Sequence, residues 1–245
     1  MTDLLLYDHR SSICSQMARL ALVEKGLTFT RRQIDIMETN EQFEPWYVAL
    51  NPKAVVPTLQ IGEEVVVDTL RIVNRMNEFP GPDLSGNGTT QTWLSDIMSL
   101  HYGVLLYRNR LDEDGSAPQI VARGKFLSDL SRIRPDLADV LKVRMAGNAR
   151  FQALLRDPDG IAQHVAATRA LVDRMTAAVE ADEFIAGPTY SVADCFATAA
   201  LARFTIHGFA EWWAGSGLEE YYARMKTRES FALAEVVDTG TERDL

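Results

Sequence analysis

Leu4-Leu5-Leu6-Tyr7-Asp8-His9-Arg10-Ser11-Ser12-Ile13-Cys14-Ser15 is the stretch on which the fold turns. Its apolar run reads as a buried strand and its polar centre as a loop. Ser12 reads as the cap of a helix whose apolar positions recur at Met17, Leu20, Ala21 and Val23. Lys25-Gly26 stops that helix. Working outward, Phe29, Ile34 and Ile36 predict a strand within 28–36, and 43–50 reads as a short helix closed by Asn51-Pro52. Val55-Val56-Pro57-Thr58-Leu59-Gln60-Ile61 and 64–68 flank Gly62 as a hairpin, and helical spacing resumes over 70–79. The order is β-α-β-α-β-β-α: a parallel pair with a right-handed crossover, followed by antiparallel strands.

Pro80-Gly81-Pro82-Asp83-Leu84-Ser85-Gly86-Asn87-Gly88 is dense in turn formers and reads as a linker. Beyond it the pattern is helical, over 90–112, 119–155, 160–181, 191–207 and 218–227. Pro135 and Asp157-Pro158-Asp159-Gly160 interrupt that run. The expected fold class is mixed α/β followed by all-α, as two domains spanning 1–82 and 89–245 that meet near residue 85.

The composition bounds the function. A chain of 245 residues, 47% hydrophobic and 24% charged, can bury a substantial core. No apolar run approaches the roughly 18 residues of a membrane helix. The opening MTDLLLYDHRSS has no basic region of a secretory leader. A net charge of −9 argues against nucleic acid as the main partner and leaves room for local basic sites for small anions. Cys14 and Cys195, far apart and without CxxC spacing, suit a reducing, cytoplasmic setting. His9, His101, His164 and His207 show no ligand spacing, so no metal site is expected.

Three segments carry chemistry. Ser11-Ser12-Ile13-Cys14-Ser15 lies at a strand-to-helix junction, where free N–H groups and the helix dipole favour an anion. A thiol there can have its pKa lowered into the range of roughly 3.5–7.5. The same residues also serve a plain fold, with Ser12 capping and Cys14 packing. Val56-Pro57 precedes a strand, where a cis bond would turn the Val56 N–H and C=O outward for strand-like pairing with a peptide ligand; a strand-entry proline without a ligand is the alternative. Asp68-Thr69 opens a helix and can cap it or hold a carboxylate.

Order and spacing of these segments resemble the glutathione transferase superfamily. Its members place a Ser, Tyr or Cys after the first strand, a cis-proline in a VP dipeptide, and an acid-or-amide-plus-Ser/Thr pair about eleven residues later. Phe184-Ile185-Ala186-Gly187 and the capping box Tyr190-Ser191-Val192-Ala193-Asp194 extend the resemblance into the second half. It implies a thioredoxin-like N-terminal domain and a helical-bundle C-terminal domain. Ser12-Ile13-Cys14-Ser15 is similar to the zeta-class SSCS motif, with Ile13 in place of a serine. Ser12-to-Ser15, Phe43-Glu44-Pro45-Trp46-Tyr47-Val48-Ala49-Leu50-Asn51, the KAVVPTL run 53–59 and 221–226 resemble the zeta-like tetrachlorohydroquinone reductive dehalogenases more closely.

The resemblance implies glutathione as co-substrate, no metal, a small aromatic substrate and a cytoplasmic homodimer. Ser12 would stabilise the glutathione thiolate and Cys14 would be a second nucleophile. Val56, preceding Pro57, would pair with the cysteinyl backbone. Asp68 and Thr69 would hold the γ-glutamyl end, and Gln42 and Lys53 the glycyl end. The aromatic pocket would lie between His9 and Arg10 and a helix carrying Tyr102, Tyr107 and Arg108, although aromatics at helical spacing also serve a core. The implied reaction is reductive dehalogenation of a halogenated hydroquinone. Maleylacetoacetate-type isomerisation, aryl thioether or ether cleavage, and non-catalytic ligand binding remain alternatives.

Overall fold

A computed structural model describes residues 3–239. The apolar run forms β1 (Leu4–Asp8), followed by α1 (Ile13–Glu24), β2 (Thr30–Gln33) and α2 (Pro45–Leu50). The hairpin β3 (Thr58–Ile61) and β4 (Glu64–Val67) and then α3 (Thr69–Met76) complete the expected order. The sheet runs β2-β1-β3-β4. β1 pairs parallel with β2 and antiparallel with β3, and β3 pairs antiparallel with β4. β2 is shorter and more polar than expected, because as an edge strand it needs no apolar face on both sides and carries Arg31 and Arg32 instead.

Register fixes where the chemistry lies. Leu6 pairs with Leu59 and Tyr7 with Thr58, so the Val56-Pro57 segment sits beside the end of β1, where the loop to α1 begins. The Val56–Pro57 bond is cis. Tyr7, Ile34 and Tyr47 form a buried cluster under this end of the sheet. The Tyr7 hydroxyl donates to Gln60 Oε1 at 2.9 Å.

The linker is pinned. The Leu84 carbonyl accepts from Val192 N at 2.9 Å, and Lys25 Nζ donates to the Pro82 carbonyl at 2.9 Å. Gly81, at φ +132, lies so close that a Cβ would stand 2.3 Å from the Lys25 carbonyl oxygen, which restricts the position to glycine.

The helical half is more broken than its periodicity predicts. The expected helix over 90–112 is α4 (Thr90–Ser99) and α5 (Tyr102–Tyr107). The break falls at His101, whose Nδ1 accepts from Val104 N at 3.3 Å and so starts a new helix. The stretch 119–155 is α6 (Pro118–Ile133) and α7 (Ala138–Leu155), divided at Pro135. α8 (Pro158–Ala181), α9 (Val192–Ile206) and α10 (Gly217–Thr227) match the remaining segments, and α11 (Glu229–Leu233) is a short helix that periodicity did not reveal.

By packing, the described chain forms two compact units. Among the described residues the first holds 3–51, 55–99 and 170–239, so the linker near residue 85 lies inside it; the second holds 52–54 and 100–169. Within the first unit α9 is buried along almost its whole length and packs on α1 and α4, as a helix apolar on all sides must. Its capping box is complete: Asp194 Oδ2 accepts from Ser191 N at 2.8 Å and Ser191 Oγ from Ala193 N at 3.3 Å. Asp194 Oδ1 also takes the Tyr221 hydroxyl at 2.8 Å, tying α9 to α10. Within the second unit α6 packs on α7, with a core of Ala117, Ile120 and Leu155.

Candidate active site

The loop between β1 and α1 is held through its carbonyls. Arg19, fully buried on α1, donates to Asp8 Oδ2 at 2.5 Å, to the His9 carbonyl at 3.3 Å and to the Arg10 carbonyl at 3.1 Å. Its Nε reaches the Ala234 carbonyl at 2.6 Å, so the segment after α11 closes over the same group. Arg203 of α9 donates to the Ser11 carbonyl at 2.5 Å. Buried guanidinium groups bonded to loop carbonyls in this way fix a loop more firmly than exposed ion pairs do.

On this loop Ser12 caps α1, its Oγ accepting from Ser15 N at 3.3 Å. The Ser12 hydroxyl proton is then available for donation from a half-buried position. Its serine neighbours are engaged otherwise. Ser11 Oγ lies 3.0 Å from His9 Nδ1, and buried Ser15 Oγ accepts from His9 N at 3.3 Å.

Cys14 is half-buried in the first turn of α1 and contacts Thr69, which begins α3. The two helix N-termini thus bring Ser12, Cys14, Asp68 and Thr69 to one place. The lowered thiol pKa expected at a helix start is not what this environment produces. Burial pushes the Cys14 thiol up and the Asp68 carboxylate adds to that, while the Thr69 hydrogen bond, Arg203 and the backbone act the other way without prevailing. Cys195 is wholly buried, and burial raises its thiol far more, as befits a core residue.

Asp68 accepts from Leu70 N at 3.1 Å as the cap of α3, with φ at +89, a backbone that a side-chain-bearing residue adopts at a cost of about 1–3 kcal/mol. The Val55 carbonyl is saturated by the Tyr47 hydroxyl at 2.7 Å and Asn51 Nδ2 at 2.8 Å. No described residue hydrogen-bonds the Val56 N–H or carbonyl, which leaves both for an extended ligand.

The other expected residues are placed less uniformly. Gln42 is 2% exposed, 3.5 Å from Asn40 Oδ1, and presents almost no surface to a ligand. Lys53 is exposed and Pro57 buried. Arg10 is exposed, and burial lowers the pKa of half-buried His9 against the pull of Asp35 and Asp8. Tyr102, Tyr107 and Arg108 belong to the second unit. Tyr107 packs edge-on against Phe151 in the core there, and Arg108 donates to the Leu105 carbonyl of its own helix. Arg19 and Arg203 were not among the expected residues. Their signal was a charge inside an apolar helical run, Met17–Leu22 and 199–204, which demands a buried partner.

Residues 11–78 match the family model described as the N-terminal domain of glutathione S-transferase. The chain is 31% identical over 242 residues to tetrachloro-p-hydroquinone reductive dehalogenase of Sphingobium chlorophenolicum, covering 97% of each. It is 25% identical to glutathione S-transferase TCHQD of Arabidopsis thaliana, over 92% of this chain and 87% of that one. Among solved structures, glutathione transferase F7 from Populus trichocarpa shares the fold with a TM-score of 0.67 at 16% identity, over 97% of this chain and 100% of the other. The chain belongs to the glutathione S-transferase family and is an enzyme of it.

Proposed function

We propose that this enzyme uses glutathione to remove a halide reductively from a halogenated hydroquinone. The observation that carries the reading is the convergence of a capping Ser12 with a donor to spare, Cys14 two residues on, and the Asp68-Thr69 helix start against that thiol. The 31% identity to a reductive dehalogenase over nearly the whole chain favours this reaction over isomerisation or simple conjugation. The γ-glutamyl end lies against Asp68 and Thr69, the cysteinyl backbone pairs with Val56, and the Ser12 hydroxyl donates to the glutathione sulfur. Gln42, being buried, supports the 3-10 turn Glu41–Phe43 from within.

In the first step the glutathione thiolate adds to an electrophilic tautomer of the ring, a C–S bond forms and halide leaves. In the second the Cys14 thiolate attacks the glutathionyl sulfur. The C–S electron pair departs with the ring, which takes a proton, and a Cys14–glutathione disulfide remains. A second glutathione resolves it by thiol–disulfide exchange. The sum is one aryl halide and two glutathiones giving one reduced arene, one glutathione disulfide, one halide and one proton. We place the reaction in a reducing cytoplasm, where the two cysteines stay as thiols, and in a homodimer typical of the family.

Product analysis tests this. With tetrachlorohydroquinone and excess glutathione, wild type should yield dechlorinated ring and one glutathione disulfide per chloride. Cys14→Ser should still release chloride and stop at the glutathionyl ring, because serine does not open a thioether. Ser12→Ala should slow chloride release itself. Identical reduced product from Cys14→Ser at the wild-type rate refutes the role of the thiol.

A further inference from the structure

Helices α6 and α7 flank an open pocket of about 390 Å³ that the chemistry above does not use. The lining includes Arg123 of α6, Arg144 and Arg150 of α7, and the rings of His101 and Phe151, and no acidic residue among the described ones. In a chain of net charge −9 this is an unusual concentration of positive charge. Arg144 has neither a hydrogen-bond nor a carboxylate partner among the described residues. Burial depresses its pKa and that of Arg123, and the two guanidinium groups repel one another. Both groups are partly exposed, and an anion placed between two like charges offsets their repulsion.

The glycines of the two helices make the same point from shape. A Cβ on Gly124 would stand 2.7 Å from Asn148 Oδ1, so that glycine permits the close approach of α6 and α7. A Cβ on Gly147, within α7, would meet nothing within 4 Å. Gly147 lines the pocket, so its missing side chain leaves open space there at a helix cost of about 1 kcal/mol relative to alanine. Beside it Asn148 is fixed, donating to the Ile120 carbonyl at 3.0 Å and accepting from Gln152 Nε2 at 2.6 Å. The lining also holds a stack of His101 on Phe151, centroids 4.7 Å apart. His101 Nδ1 accepts from Val104 N, so in the neutral ring Nε2 carries the proton.

We infer that the α6–α7 pocket binds a small aromatic carboxylate, its anionic end between the Arg123 and Arg144 guanidinium groups and its ring along the His101–Phe151 stack over Gly147. Paired guanidinium groups match a carboxylate in charge and in hydrogen-bond geometry, and a volume of this order takes one or two fused rings.

The experiment uses the full-length protein and 2-naphthoate, with 2-naphthamide as the neutral isostere. Calorimetry should show saturable naphthoate binding that weakens with salt, with the amide weaker by about tenfold or more, as loss of a charge-assisted hydrogen bond implies. Amide resonances of Gly147, Asn148 and Phe151 should shift while those of Ser12 and Thr69 stay in place. Arg144→Gln should lose about tenfold in naphthoate affinity. Gly147→Leu should abolish binding at an unchanged or higher melting temperature, because leucine is the better helix former and fills open space. Absence of saturable binding overturns the inference. So does equal affinity for acid and amide, or shifts confined to the Ser12 region. Should Gly147→Leu fail to fold, unchanged affinity in Arg144→Gln with the shift map elsewhere overturns it alone.

Discussion

Replacing Arg19 with methionine keeps the volume of the α1 side chain and removes the group on which the loop between β1 and α1 is hung. Arg19 and Asp8 are both fully buried with N···O at 2.5 Å, so the ion pair is not a surface one. Removing one partner of a buried pair costs about 3–5 kcal/mol, chiefly through the charge left behind. Asp8 keeps Arg31 at 3.0 Å, which argues for the lower end, about 3 kcal/mol. The Ala234 carbonyl also loses its donor at 2.6 Å, adding about 1 kcal/mol. The expected loss of about 4 kcal/mol is a large part of a domain's usual 5–15 kcal/mol, so the variant should fold but unfold at much lower urea. Arg19→Lys should recover less than half of it, because an ammonium cannot fork between a carboxylate and several carbonyls. Urea unfolding followed by tryptophan fluorescence measures both. A loss below about 1 kcal/mol for Arg19→Met would mean that desolvation cancels the attraction, and that the loop is set by its backbone rather than by this guanidinium.

Ser191→Ala should cost about 1 kcal/mol in the same urea assay, as loss of an N-cap does, and should leave glutathione affinity untouched. Asp68→Asn preserves a competent helix cap and removes the carboxylate that disfavours the Cys14 thiolate, so the pH midpoint of Cys14 alkylation by iodoacetamide should move down. In wild type that alkylation should develop only toward alkaline pH, with Cys195 unmodified until the protein unfolds.

Much of the N-terminal half was legible because its punctuation is local. Ser12 and Asp68 begin helices through their side-chain caps, Gly26 and Gly62 turn the chain at positive φ, and the observed boundaries follow them closely. The capping box at Ser191 and Asp194 was readable for the same reason. The break at His101 was not, since a histidine ring acting as a cap looks like any polar residue in a helical run. The direction of the Cys14 pKa was illegible for a different reason. A helix N-terminus is written in the sequence, whereas the depth of burial and the approach of Asp68 exist only after α3 has folded against α1. Arg203 lies 192 residues from the carbonyl it holds, and only the apolar context of α9 hinted that such a partner must exist.

The raised thiol suits the proposed chemistry better than the lowered one expected. A thiolate's intrinsic nucleophilicity rises with its pKa, so part of what is lost in thiolate population is returned in reactivity once the proton leaves. The two residues that bear on Cys14 most directly, Thr69 and Asp68, are those proposed to hold the γ-glutamyl end. That end carries an ammonium, and an ammonium beside Asp68 offsets the negative charge that disfavours the thiolate. Glutathione binding would then favour ionisation of Cys14 when a glutathionyl ring can be present to receive it. Without that ammonium, burial and, second to it, the Asp68 carboxylate favour the protonated thiol, which is less prone to oxidation than an exposed low-pKa cysteine. On this reading Ser12 and Cys14, two residues apart on one helix start, differ in task because one donates a hydrogen bond at once and the other holds its proton until the substrate's own charge arrives.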